Sequence, residues 1–241
     1  MSADFIQLLV GGILLGGIYG LAAFGLSITF GVLNVLNLAH GEFLMLGSLM
    51  SYGLFIGLGI NPFMAAILVI PVFMLLGVGF YLILLKPIMD KPPHQLLVAS
   101  ILVTLGASLF IEDVTAFFWE RPVTGISYSL PPMELAGVVI SSTRLLILLF
   151  IFALACGMQI YLKKTFVGKS IRAIVQGREG AKVVGIPISR VSALAFSIGM
   201  ALAASAGAFY VTLFTVTPVM GIPLTIKYLC VVVLGGLGSI V

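Results

Sequence analysis

Long apolar runs separated by short polar stretches set the outline of this chain. A spanning helix needs about 20 apolar residues. Six runs meet or approach that length: Phe5–Ile28, Phe43–Leu58, Phe63–Leu85, Leu96–Phe118, Leu145–Leu162 and Val191–Phe214. A seventh starts near Leu224 and is still apolar at Val241. The pattern predicts an all-α fold, a polytopic transmembrane helical bundle of about seven spans, forming one domain over residues 1–241. No polar cap closes the seventh run, so the natural chain is expected to continue past Val241. Met1 to Gln7 carries Asp4 and no basic residue, so the first run reads as a retained helix and not as a cleaved signal peptide.

Composition supports the bilayer as solvent. Apolar residues make up 61% of the chain and charged residues 8%, where a soluble domain carries about 25%. A water-soluble fold with this balance would lack the polar surface to cover its core. Cys156 and Cys230 both fall inside apolar runs and read as small buried residues, not as a disulfide or a metal pair.

The basic residues set the expected orientation. Of the 12 Lys and Arg, seven lie in one connection, Lys163–Arg190: Lys163, Lys164, Lys169, Arg172, Arg178, Lys182 and Arg190. Basic loops face the cytoplasm, so the net charge of +4 reports topology and not nucleic-acid binding. The Lys86–His94 connection falls on the same side by parity. Glu112, Asp113, Glu120 and Glu134 then lie outside, with Arg121 and Arg144, and the N-terminus is outside too. Phe117, Phe118 and Trp119 fit an interfacial aromatic belt. Lys227 is expected near the outer start of the last span, its long stem reaching the interface.

Within the Lys163–Arg190 loop, Ile171, Ile174 and Val175 form one apolar stripe, and Ala181 and Val184 continue one beyond Gly177. Two short helical pieces are expected, punctuated by Gly177, Gly180, Gly185 and Pro187. Arg172, Arg178 and Lys182 would then point outward to acids on a partner, which makes this a candidate coupling loop. The alternative is a solvated loop whose charge only sets orientation.

Two spans carry small residues at helical spacing: Gly12, Gly16 and Gly20 in the first, Gly199, Ala203 and Gly207 in the sixth. Such stripes let helix backbones approach closely in lipid. Between the first two spans, Asn34 to Glu42 places Asn34, Asn37, His40 and Glu42 close together. Polar groups at membrane depth usually face a cavity or each other, and a break at Gly41 would expose backbone to a solute path. The other reading is an interfacial turn near the cytoplasmic side, where Asn37 or His40 caps a helix and Glu42 sits in its first turn.

Catalytic and cofactor motifs are missing from the sequence. His40 and His94 are the only histidines and form no metal-ligand pattern. The Gly235-Gly236-Leu237-Gly238-Ser239 stretch lacks the lysine of a P-loop and is expected within a span. The chain therefore reads as a non-enzyme with no cofactor or metal, drawing energy from a partner or an ion gradient. Only Glu42 and the Glu112-Asp113 pair would serve ion coupling.

Three stretches carry a resemblance. Ile28-Thr-Phe-Gly-Val-Leu-Asn-Val-Leu-Asn-Leu-Ala-His-Gly-Glu42 resembles the signature of permeases from branched-chain amino-acid ABC importers. So do Gly168-Lys-Ser-Ile-Arg-Ala-Ile174 leading into Val184-Gly-Ile186, and Val233-Leu-Gly-Gly-Leu-Gly-Ser239. The resemblance covers essentially the whole chain. It implies an inner-membrane subunit that works with a second related permease, two cytoplasmic ATP-binding subunits and a periplasmic binding protein. It also implies a coupling loop resembling Glu-Ala-Ala, three residues, Gly, which falls here on Glu179, Gly180, Ala181 and Gly185. Gly180 departs from that pattern. Importers of urea and short amides share the signatures, so the substrate stays open between these classes. An ion-coupled carrier and a membrane scaffold without transport are the rival readings.

Overall fold

The computed structural model describes residues 2–236, apart from 120, 121, 124, 129, 132, 136 and 137. Glu120, Arg121 and residues 237–241 thus lie outside the described residues, as does the side chain of Glu134. Nine α-helices follow in chain order among them. These are α1 (Ser2–Leu33), α2 (His40–Leu58), α3 (Pro62–Phe80), α4 (Pro93–Phe118), α5 (Ser142–Lys164), α6 (Phe166–Gln176), α7 (Arg178–Val183), α8 (Ile188–Tyr210) and α9 (Gly221–Gly235). Seven helical stretches are long and apolar enough to cross a membrane, the number expected from the apolar runs. The structure extends α1 past the expected Ile28 to Leu33. α9 closes at Gly235, where Gly236 takes a φ of 94°, and the expected run on to Val241 lies outside the described residues.

The helix boundaries follow local chemistry. Asn61 caps α3 by accepting the Met64 N–H at 2.8 Å, and Pro62 takes the first helical position, where its missing N–H costs nothing. α2 ends in a left-handed Gly59, the usual helix stop. α3 runs on through a wider turn, Tyr81–Leu85, and a tighter one, Lys86–Ile88. A short antiparallel hairpin, β1 (Met133–Leu135) and β2 (Val138–Ile140), joins α4 to α5 and was not foreseen.

α8 forms the axis of the bundle. Nearly all of its residues are buried, and it packs against α1, α2 and α3. Its small residues explain how three helices surround it. Gly25 of α1 meets Gly199, Gly47 of α2 meets Ala204, Gly77 of α3 meets Ser197, and Gly207 meets Leu44 of α2. At each contact an added Cβ would land on the neighbour's backbone. Serines bridge the same seams. Ser48 Oγ donates to Gly207 O at 2.8 Å, and Ser205 Oγ donates to Ala66 O at 3.1 Å. The stripe expected on the sixth span therefore packs inside this chain. The stripe on the first does not: a Cβ at Gly12, Gly16 or Gly20 would meet nothing. The cysteines also differ from expectation. Cys156 and Cys230 are free and exposed on the outer face of the bundle, because their helices bury opposite faces.

Candidate functional site

The link between α1 and α2 does not sit at the bundle rim. α1 stops where Asn34 takes a left-handed φ of 52°, a conformation asparagine tolerates. The chain then turns back, and α2 starts at the level of Ala22, in the middle of α1: His40 Nε2 lies 2.8 Å from Ala22 O. Five residues of non-helical backbone, Val35–Ala39, thus run through the protein interior, where each polar group needs a partner.

Two threonines supply those partners. Leu38 N–H donates to Thr104 Oγ1 at 3.0 Å, and Thr104 Oγ1 reaches Leu36 O at 3.3 Å. Thr225 of α9 accepts the Gly41 N–H at 2.7 Å and donates to Leu38 O at 3.1 Å. Asn37 serves its own turn by accepting the Ala39 N–H at 3.1 Å, while its amide points at Met200 Sδ of α8. The helix start itself is capped by no side chain at Ala39. Of the two expected caps, Asn37 acts one step before the helix, at the Ala39 N–H, His40 turns to Ala22 O instead, and Thr225 from another helix takes the Gly41 N–H.

Glu42 lies where two helices begin. It sits in the first turn of α2, and its carboxylate abuts Gly221, the first residue of α9. Each helix N-terminus carries a partial positive charge that favours a carboxylate. Ser108 of α4 donates to Glu42 Oε1 at 2.7 Å, while Oε2 has no hydrogen-bond partner among the described residues. Glu112, one turn further along α4 and half-buried, brings a like charge within electrostatic reach. Among the described residues His40 Nδ1 is also without a hydrogen-bond partner, and its ring stands edge-on to Tyr228 at 6.2 Å. Gly41 and Gly221 make this meeting possible, since a Cβ on Gly41 would strike Gly221 O and one on Gly221 would strike Glu42.

The four polar residues singled out from the sequence therefore divide. Asn37, His40 and Glu42 are fully buried in one centre. Asn34 is exposed and opens instead into a cleft of about 680 Å³ at one end of the bundle, beside Lys86, Asp90, Lys91, Arg178, Glu179 and Lys182. Thr104, Ser108, Gly221 and Thr225 belong to the buried centre, and the sequence reading missed them. A signal existed for two: Ser100, Thr104 and Ser108 recur every fourth residue along an otherwise apolar run. Among the described residues no group of His, Cys, Asp and Glu could hold a metal ion.

Residues 8–241 match the model of the family described as branched-chain amino acid transport system / permease component. The chain belongs to this family. It is 27% identical to the high-affinity branched-chain amino acid transport system permease protein BraD of Pseudomonas aeruginosa, over 98% of this chain and 80% of that one. The identity and coverage are the same for the corresponding Escherichia coli permease protein, LivH. A probable branched-chain amino acid transport permease protein of Methanocaldococcus jannaschii is 26% identical over 97% of this chain and 75% of its own. No solved structure matches the chain.

The permease's basic loop is a built surface. α6 is capped at its start by Thr165, which accepts the Gly168 N–H at 3.1 Å, and it buries Ile171 and Ile174 against the bundle. α7 is pinned by buried Ala181 and closes in a Schellman turn. Ile186 N–H donates to Ala181 O at 3.0 Å and Gly185 N–H to Lys182 O at 3.1 Å, with Gly185 at φ 81°. The Gly180 departure is harmless to this shape, since a Cβ there would meet nothing. Glu179, Lys182, Val183 and Val184 stand exposed, and Arg178 is half-buried. Three expectations need correction. Val175 and Val184 are exposed and do not continue the buried stripe. Arg172 does not point away: it donates to Leu162 O and, at 3.3 Å, to Lys163 O, closing the C-terminus of α5. A cation at that end is held by the helix's unsatisfied carbonyls and its dipole.

Proposed function

We propose that this chain is the membrane-spanning permease subunit of an ABC importer that moves branched-chain amino acids across the inner membrane. ATP is hydrolysed by separate subunits. The permease works with a second related permease, two cytoplasmic ATP-binding subunits and a periplasmic solute-binding protein. Family membership across residues 8–241 carries the reading, and the names of the bacterial relatives supply the substrate class.

The α6–α7 loop is the coupling element in this reading. It offers what docking to another protein asks for: a fixed shape, exposed Val183 and Val184, and charges of both signs. Arg178, Glu179, Gly180, Ala181 and Gly185 form the contact segment, and Arg172 holds its base to α5. With this loop in the cytoplasm, α1 begins outside. Asn37, His40 and Glu42 form the buried part of the proposed path element, and Asn34 lies apart from them in the cleft at the bundle's end. Their support is a helix break inside the bundle with a carboxylate at two helix N-termini, an arrangement suited to gating a zwitterionic solute.

Reconstitution of the permease with its neighbouring ATP-binding, permease and binding-protein genes tests the reading in vesicles. Leucine uptake that requires ATP is expected. Uptake of urea in place of leucine would overturn the substrate class, and uptake without ATP would overturn the ABC assignment. Glu179→Arg and Gly185→Trp are expected to insert normally yet lose ATPase association and uptake. Normal association in both would remove the coupling role. Glu42→Gln is expected to slow uptake at equal expression; an unchanged rate would leave Glu42 as a helix-terminal charge only.

A further inference from the structure

Lys227 is the seventh residue of α9 and is exposed on this chain. Its ammonium lies 5.8 Å from the centre of the Tyr19 ring, and Tyr19 packs edge-on against Tyr228 at 5.6 Å. Tyr19 is roughly 16 Å along α1 from Leu8 and about 21 Å from Leu33 at 1.5 Å per residue, which puts it near mid-span. The hydrocarbon core of a bilayer is about 30 Å thick, so that depth is far from either interface. Lys227 is nonetheless exposed on this chain, and among the described residues no carboxylate is paired with it. The amine does not reach for a headgroup either, since it rests over the ring beside it.

A lone exposed ammonium at that depth is costly against lipid. The cost disappears where the face borders water or an anion. The surroundings fit that case. Gly12 and Gly16 share a helix face with Tyr19, and an added Cβ at either would meet nothing, so the wall beside the amine is open. A shallow groove of about 150 Å³ lies between the same two helices further along, lined by Gly20, Phe24, Ser27, Val232 and Gly235.

We propose that the α1–α9 face is a wall of the translocation path and that Lys227 binds the α-carboxylate of the transported amino acid there. Tyr19 positions the ammonium from the side by a cation–π contact. The glycines leave room for the solute's side chain, and apolar Val231 and Val232 suit an aliphatic one. This rests on the amino-acid import reading above.

The test uses the full importer in vesicles, with Cys156→Ala and Cys230→Ala in the permease and [3H]leucine as probe. Lys227→Cys is expected to cut leucine uptake at least tenfold. Treatment with 2-aminoethyl methanethiosulfonate, which leaves a short primary ammonium on the sulfur, is expected to restore a large part of it. A neutral methyl reagent is expected to restore none. Uptake at the control rate in untreated Lys227→Cys would overturn the proposal. So would a loss that the ammonium reagent does not repair, or a loss accompanied by dissociation of the two permeases, which would assign Lys227 to an ion pair between subunits. Failure of the Cys-replaced control with Lys227 intact to import leucine would instead count against the function reading. In that case reaction of Lys227→Cys with the charged reagent still decides whether the face is wetted, and absence of reaction overturns the wall.

Discussion

The two glycine stripes look alike in sequence and behave differently in the fold. Gly199 and Gly207 on α8 are in backbone contact with Gly25 and Leu44. Gly12, Gly16 and Gly20 on α1 have open space where a side chain would be. Small-residue spacing shows that something must come close to a helix. It does not show whether that neighbour belongs to the same chain. On α8 the neighbours are α1, α2 and α3. On α1 the open stripe lies beside Lys227, and a solute or a second subunit can fill it.

Substitutions at the two stripes should separate most sharply. Gly199→Leu is expected to cost more than the roughly 1–3 kcal/mol typical of overpacking, because the Gly25 backbone stands in the way together with the Thr29 hydroxyl. Loss of a monodisperse peak in detergent would register it. A stable, monodisperse Gly199→Leu protein would show that α1 and α8 can separate, and the contrast would fail.

The next effect belongs to the meeting of α2 and α9. Gly221→Ala pushes a methyl into the Glu42 carboxylate and is expected to lower the thermal midpoint. Adding Glu42→Ala removes the obstacle, so the pair should be less damaging than the sum of the single changes, as expected for residues in contact. Strict additivity would mean that the two helix starts are not in contact.

Thr225→Val should cost about 1–2 kcal/mol by leaving Leu38 O and Gly41 N–H without their shared hydroxyl. Thermal denaturation in detergent against wild type measures it. Arg172→Met should cost less, about 0.3–1 kcal/mol, with a loss that shrinks as salt is raised, since a cation at a helix end is screened. Gly16→Leu closes the series. It is expected to leave the midpoint of the isolated permease unchanged while lowering uptake in the assembled importer. A large drop in the isolated chain would mean that the α1 stripe packs internally after all.

Much of the architecture is legible in the sequence. The number of spans follows from apolar run length, because a bilayer leaves a backbone no alternative to the helix. The two short helices of the basic loop follow from the apolar stripe at Ile171 and Ile174 and from the break at Gly177. Even so, Val175 and Val184 were misplaced. A stripe narrows to the face actually covered, and no local pattern reports the width of the covering surface.

Sequence alone determined that residues 34–42 form a polar interruption between two spans. It also determined that this chain carries a basic loop with the punctuation of a fixed shape. Only the tertiary structure decided the depth and company of those groups. Hydrophobicity is read along one dimension, and in it Asn34, Asn37, His40 and Glu42 are one cluster between two spans, open to a path or an interfacial reading, while Lys227 is a residue near a helix start. Packing α1, α4 and α9 around the link brings in Ala22, Thr104, Ser108, Gly221 and Thr225, the last from 184 residues along the chain from Gly41. It sends Asn34 to a separate cleft and sets Lys227 beside Tyr19. Contacts between distant segments depend on helix rotation and tilt, which close glycine contacts set in three dimensions and which leave no periodic mark on the residues that end up together.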